Sequence, residues 1–397
     1  MSAPSVRLGD VTTRIGSGIT PRGGSSVYKS AGRPFVRSQN VGWGDLRLDD
    51  MAYIDEATHA TFPATEIRCG DVLLNITGAS IGRSAVATPK LDGGNVNQHV
   101  CEIRLKAGRM DPRFVNAFLL SRSGQSQIDT FQAGGNRQGL NFQQVGSLQV
   151  PDLPIEQQRA IGAASQDADD LIATLERLIA KKQAIKQGMM QQLLTGRTRL
   201  PGFTDPWTEG TFDQLASLSS ERAMPQSVAA TTPLVGLDQI ESGSGRLIGA
   251  SQASDAVSLK ATFKPGDVLF GKLRAYLRKF WYAEAEGLCT TEIWVLRARP
   301  DVASRFVRYI VETDPFIDVA SGAYGTHMPR SDWGMVRALP VAIPPYAEQV
   351  AIGSSLCDID TEIGLLQRRL QKAENVKQGM MQQLLTGRTR LPVEVAS

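Results

Sequence analysis

The chain has 397 residues, 42% of them hydrophobic, with 43 basic side chains against 40 acidic and a formal charge of +3. That length suggests two or three domains, and a charge this small singles out no partner by itself. Cys69, Cys101, Cys289 and Cys357 lie far apart without a CxxC pair, which argues against a zinc site and fits a reducing compartment. The opening MSAPSVRLGD lacks the apolar core of a signal peptide, and no apolar run approaches the roughly 20 residues of a membrane span. The expectation is a soluble, cytoplasmic protein with no membrane partner.

Residues 1–153 hold short strand-like runs: RPFVRSQNV (33–41), GDVLLNIT (70–77), GRSAVA (82–87) and HVCEIRL (99–105). Gly, Pro, Asn and Asp clusters separate them, and PRFVNAFLLS (112–121) is the clearest helix. Residues 154–201 read as one long helix. It starts at PIEQQ, with proline ahead and acid in the first turn, and stops at TGRTRLP, where Gly196 suits a left-handed cap. Apolar residues recur at Ile161, Ala164, Ala168, Leu171, Leu175, Leu178, Ile185 and Met189, broken at Lys182. That spacing is a coiled-coil seam. Residues 202–343 repeat the strand-rich style in ATTPLVGLD (230–238), GDVLFGKL (266–273), RKFWYAE (278–284) and TTEIWVLRA (290–298), followed by the helical SRFVRYIVE (304–312). Residues 344–392 form a second long helix with its seam at Ile352, Leu356, Ile359, Ile363, Leu366, Leu370, Ala373, Val376 and Met380, ended by Gly387, and 393–397 are a tail.

The chain is a tandem duplication. KQGMMQQLLTGRTRLP occupies 186–201 and recurs unchanged at 377–392, an offset of 191 that also matches Gln158 with Gln349 and Gly162 with Gly353. The fold class expected is mixed α/β (α+β): two globular domains with irregular sheets, joined and spaced by two long antiparallel coiled-coil helices with approximate two-fold symmetry. Forty residues of helix span about 60 Å at ~1.5 Å per residue.

Signatures of catalysis are missing. His59, His99 and His327 form no metal-ligand pattern, and there is no Walker loop or G-x-S-x-G elbow. IPPY (343–346) has Ile where an amino-methyltransferase motif needs a polar residue. A standalone hydrolase or transferase is therefore disfavoured. Polar, basic loops remain. The candidate DNA contacts are Thr20, Arg22, Arg37, Asn40, Asn75, Ser80, Arg83, Asn97, Asn136 and Arg137 in the first half. In the second half they are Lys272, Arg274, Tyr276, Arg278, Lys279, Thr291, Tyr324, Thr326 and His327. Such side chains pair with base edges, Arg with guanine and Asn or Gln with adenine.

Two variable domains, each followed by a helix that ends KQGMMQQLLTGRTRLP, resemble the specificity subunit of type I restriction–modification systems. LGDVTTRIGSGITPRGG (8–24), PFVRSQNVGWGDL (34–46) and GDVLLNITGASIGR (70–83) are similar to that family's target recognition domain, whereas KLRAYLRK (272–279) departs from ITGASIGR (76–83). The resemblance implies a non-catalytic subunit that binds double-stranded DNA, each recognition domain reading half of a split, asymmetric target. It implies two copies of an adenine methyltransferase subunit and a nuclease/translocase subunit as partners. No cofactor is expected in this chain, with S-adenosylmethionine, ATP and Mg in the partner subunits. The duplicated segment would supply matching docking surfaces: Lys186, Gln187, Met190, Gln191 and Leu194, and Lys377, Gln378, Met381, Gln382 and Leu385. The alternative reading is a scaffold that docks two proteins on duplicated helices without touching DNA.

Overall fold

The computed structural model describes residues 4–132, 139–322, 330–387 and 389–391, and divides the chain into two units. The first comprises Met1–Arg177 and Arg368–Ser397, the second Leu178–Gln367. Each unit therefore owns one globular domain, part of the first long helix and part of the second.

In the first unit, Ser5–Arg7 pairs antiparallel with Gln149–Pro151 and closes the domain just before the helix. An antiparallel sheet of four strands has the order Thr12–Ser17, Val100–Leu105, Val72–Asn75, Ser84–Val86. Val72, Leu73, Leu74 and Asn75 are all buried, so this strand is covered on both faces and reads as a continuous apolar run. A second sheet has the order Ala52–Ile54, Arg33–Val36, Asn95–Val96, the last two strands parallel.

The second unit repeats the plan with strands of its own. Thr208–Thr211 pairs with Pro340–Ile343. The four-stranded sheet has the order Ala216–Leu218, Ile293–Ala298, Val268–Gly271, Phe280–Tyr282. In the second sheet, now five-stranded, Pro233–Val235 again runs parallel to its neighbour, Gly287–Cys289. Equivalent ion pairs lock both central sheets: Arg104 holds Asp71 at 2.7 Å and Arg297 holds Asp267 at 2.8 Å.

The long helices are Ile155–Leu193 and Tyr346–Leu385, 39 and 40 residues, and Gly196 and Gly387 take the left-handed conformation expected at their ends (φ +70° and +71°). Each helix start is pinned to its domain by one buried glutamine. Gln158 accepts from the Asp111 amide at 3.0 Å and donates to the Leu153 carbonyl at 2.8 Å. Gln349 accepts from the Ala303 amide at 3.0 Å and donates to the Pro344 carbonyl at 2.8 Å.

Inside each unit the helix segments lie antiparallel. In the second unit Lys182 pairs with Glu362 and Lys186 with Asp360, both at 2.8 Å, so position falls along one helix as it rises along the other. In the first unit Lys377 pairs with Asp169, while Ile161 shares a core with Met381, Leu384 and Leu385. On the first helix the expected seam holds at Ile161 and Leu175, which are buried, and fails between and beyond them. Leu171, Leu178 and Ile185 are exposed, as is Val376 on the second helix. The buried stripe runs instead through Ser165, Leu175, Ile179, Lys186 and Met190. Lys186 can occupy the seam because Asp360 on the facing helix pairs with it, a device that also fixes register.

Candidate nucleic-acid interface

Several candidate contacts are engaged in hydrogen bonds within the first unit. Asn40 is buried: its amide donates to the Arg47 carbonyl at 2.9 Å and the Asp50 carbonyl at 3.1 Å, and its oxygen accepts from the Arg37 amide. Arg37 donates to the Asp50 carbonyl at 2.7 Å and lies over the Tyr28 ring. Asn75, fully buried, donates to the Ser38 carbonyl at 2.8 Å and so fastens this loop to the central strand. Asn97 is buried and accepts from the His99 amide at 3.0 Å. These side chains help to shape the loops that carry them. Buried polar groups need partners, and backbone carbonyls supply them for the Asn40 and Asn75 amides, while Asn75 Oδ1 has none among the described residues.

What the loops present is different. Thr20, Arg22 and Gln98 are exposed, and Thr77, Ser80, Arg83 and His99 are half-buried. The Thr20 hydroxyl donates to Gln98 Oε1. The Gln98 amide lies 3.0 Å from His99 Nε2, and His99 Nδ1 lies 2.5 Å from the Thr77 hydroxyl. With the Gln98 amide donating, His99 carries its proton on Nδ1 and donates to Thr77. Gln98, His99 and Thr77 are not among the sequence candidates, although Asn97 and Ser80 beside them in the chain are. Asn136, Arg137, Tyr324, Thr326 and His327 lie outside the described residues.

In the second unit, Lys279 donates to the Leu237 carbonyl at 2.8 Å. Lys272 is half-buried, its amide bonded to the Glu292 carbonyl and its carbonyl to the Ser331 amide. Arg274, Tyr276 and Thr291 are exposed, and Arg278 is half-buried.

The turn after the strand Val72–Asn75 is built alike in the second unit after Val268–Gly271. A short 3-10 turn at Gly78–Ser80 has its counterpart at Ala275–Leu277, and Thr77 and Leu273 form equivalent bridges to Gly139 and Arg330. Gly78 and Gly82 have φ +70° and +85°, the left-handed region that glycine enters freely. The same two places in the second unit carry Arg274 (φ +55°) and Arg278 (φ +50°). They are the only non-glycine residues with positive φ among the described residues. For a residue with a Cβ this conformation costs roughly 1–2 kcal/mol. Arg278 recovers that through its guanidinium, which bonds to the Glu312 carbonyl at 3.2 Å and pairs with Asp314.

The duplicated helix ends are placed otherwise than expected. Met190 and Leu194 are buried with Phe212, Phe306 and Leu356 in the core of the second unit, and Met381 and Leu385 are buried in the core of the first. Lys186 is buried between Glu312 at 2.5 Å and Asp360. Lys377 is half-buried on Asp169. The helix ends face the domains, so their apolar side chains are used within the chain. Gln187, Gln191, Gln378 and Gln382 are exposed and form the outward face of the identical segment.

Among the described residues no cluster of His, Cys, Asp and Glu could hold a metal ion, and no helix is long and apolar enough to cross a membrane.

One scaffold built twice, with differently furnished turns and matching helix ends, makes this a two-module protein. The chain is similar over 97% of its length to MjaX of Methanocaldococcus jannaschii, assigned as a type I restriction enzyme specificity subunit, at 21% identity and covering 93% of that protein. It is 28% identical over 173 residues to the EcoDI specificity subunit of Escherichia coli, 43% of this chain and 37% of that one. The crystal structure of a type I restriction–modification S subunit from M. genitalium shares its fold, with a TM-score of 0.64 at 13% identity over 96% of this chain and 95% of that one. No protein-family profile matches the chain. The resemblance to type I specificity subunits seen in the sequence is borne out by these similarities.

Proposed function

We propose that this chain is the DNA-recognition subunit of a type I restriction–modification complex, reading a bipartite, asymmetric target. The observation that carries the reading is the matched turn with unlike side chains: Gly-Ala-Ser-Ile-Gly at 78–82 against Arg-Ala-Tyr-Leu-Arg at 274–278. Equal scaffolds with unequal tips suit two different half-sites. Base-edge contacts, rather than bulk charge, carry recognition, in keeping with the low net charge. The long helices set the interval between half-sites, near one helical turn of DNA, roughly 10 base pairs.

The chain itself does no chemistry. Two adenine methyltransferase subunits dock on the glutamine faces of the duplicated segment, bring S-adenosylmethionine, and methylate a base turned out of the stack. A nuclease/translocase subunit that uses ATP and Mg completes the restricting complex, and the assembly works in the cytoplasm.

The test is to map methylated adenines in cells carrying the chain with its partner methyltransferase, and to measure binding of that complex to the mapped duplex. A split motif with two different halves, and salt-dependent binding to it, is expected. A continuous motif, or none, together with no binding, leaves the scaffold reading standing.

A further inference from the structure

We propose that Arg274 is a specificity-determining residue, its guanidinium reading a guanine edge in the half-site met by the second unit. The inference rests on the DNA-recognition reading above. Two arginines occupy the left-handed places of a turn that the first unit builds with glycine. The backbone therefore does not require a side chain at either place. Arg278 has a use inside the unit, through Glu312 and Asp314. Arg274 is exposed and makes no ion pair or side-chain hydrogen bond among the described residues. Nothing within them offsets its unfavourable backbone. A side chain kept where every Cβ is disfavoured points to a use outside the chain.

The geometry favours reading over loose attraction. Both ends of the turn are fixed: the Ser331 amide donates to the Lys272 carbonyl at 2.8 Å, and the Gly243 amide to the Arg278 carbonyl at 2.9 Å. Tyr276, 56% exposed, stands two residues further on. A fixed turn spares the cost of ordering the backbone on binding, which leaves only the side-chain rotamers to be fixed, and arginine's forked donors match O6 and N7 of guanine.

The experiment compares Arg274→Gly and Arg274→Lys in the full chain with its partner methyltransferase. Binding is measured on duplexes in which each target base pair is varied in turn, alongside melting temperature and methylation maps. Arg274→Gly is expected to melt no lower than wild type, because glycine relieves the turn. It should lose roughly ten- to hundredfold of the discrimination at one G·C pair in one half-site. Arg274→Lys keeps the charge but not the fork, and should lose the same discrimination. An unchanged motif with unchanged affinity would overturn the proposal. So would an equal loss on every duplex with the salt slope reduced by about 0.9, the mark of a phosphate contact. Wild-type complex that binds no duplex at any salt would sink the DNA-recognition reading itself, and this inference with it.

Discussion

Lys377 pairs with Asp169, and the same two sequence positions exchanged between the repeats, Lys186 and Asp360, pair as well. Each lysine reaches the acid of the other copy, which is the pattern of a self-complementary, two-fold contact. The surroundings differ. Lys186 also holds Glu312 and lies 5.6 Å from the Tyr309 ring centre, and Arg308 and Tyr309 complete the network on Asp360. Removing one member of a buried network leaves uncompensated charge, whereas a more open pair contributes little. Lys186→Ala is therefore expected to lower stability by about 3 kcal/mol, and Lys377→Ala by less than about 1 kcal/mol. Denaturant unfolding of both variants checks this; equal losses would contradict it.

The two helix-start glutamines give a second stability prediction. Gln158 and Gln349 are buried and each satisfies a backbone amide and carbonyl groups that no other described group reaches in the same way. Alanine at either place leaves those groups buried and unpaired, at about 2–3 kcal/mol. Hydrogen exchange should rise at Asp111 in Gln158→Ala and at Ala303 in Gln349→Ala, each without change in the other unit. Unaltered exchange in both variants would refute the pinning role.

These glutamines also show what a sequence exposes. Their recurrence at the repeat offset, beside a proline-led helix start, made them visible, as did the glycine caps and the apolar central strand. All are local signals. The helix phase was hidden because Lys182 and Lys186 sit on the seam through acids that are remote in sequence, so choosing the apolar residues placed Leu171, Leu178 and Ile185 on the wrong face. Arg37, Asn40 and Asn75 look like readers because they are polar residues in loops, yet their partners are backbone groups that only the folded loop brings near. The conformation of Arg274 is invisible too, since arginine carries no signal for positive φ.

The first unit is expected to weaken as pH rises, for a reason confined to it. Glu102 is fully buried in the strand Val100–Leu105, where burial, and then the Asp71 carboxylate, push its pKa up to about 7 against the partial opposition of Arg104 and Arg14. A carboxyl whose folded pKa lies above its unfolded value stabilises the fold fully below the unfolded pKa, and loses that contribution as pH climbs through the folded one. Between pH 5 and 8 the strands Val72–Asn75 and Val100–Leu105 should therefore lose protection, and Glu102→Gln should flatten the trend. Val295 holds the equivalent place two residues before Arg297, so Ile293–Ala298 in the second unit supplies an internal control. Parallel trends in both units, or no change in Glu102→Gln, would contradict the assignment.

The identical helix ends make a prediction about stoichiometry. Packing accounts for Met190, Leu194, Met381 and Leu385, because each fills a core of its own unit. It does not account for Gln187 and Gln191 matching Gln378 and Gln382, since exposed positions tolerate exchange with little effect on stability. Identity on an outward face follows if two copies of one partner bind there. Gln191→Arg or Gln382→Arg alone should then leave one methyltransferase bound, and the double variant none, with melting temperature unchanged because neither side chain enters a core. Native mass spectrometry of the reconstituted complex reads the count directly. Two partners retained on the double variant would place the docking surface elsewhere and leave the matching glutamines without a role.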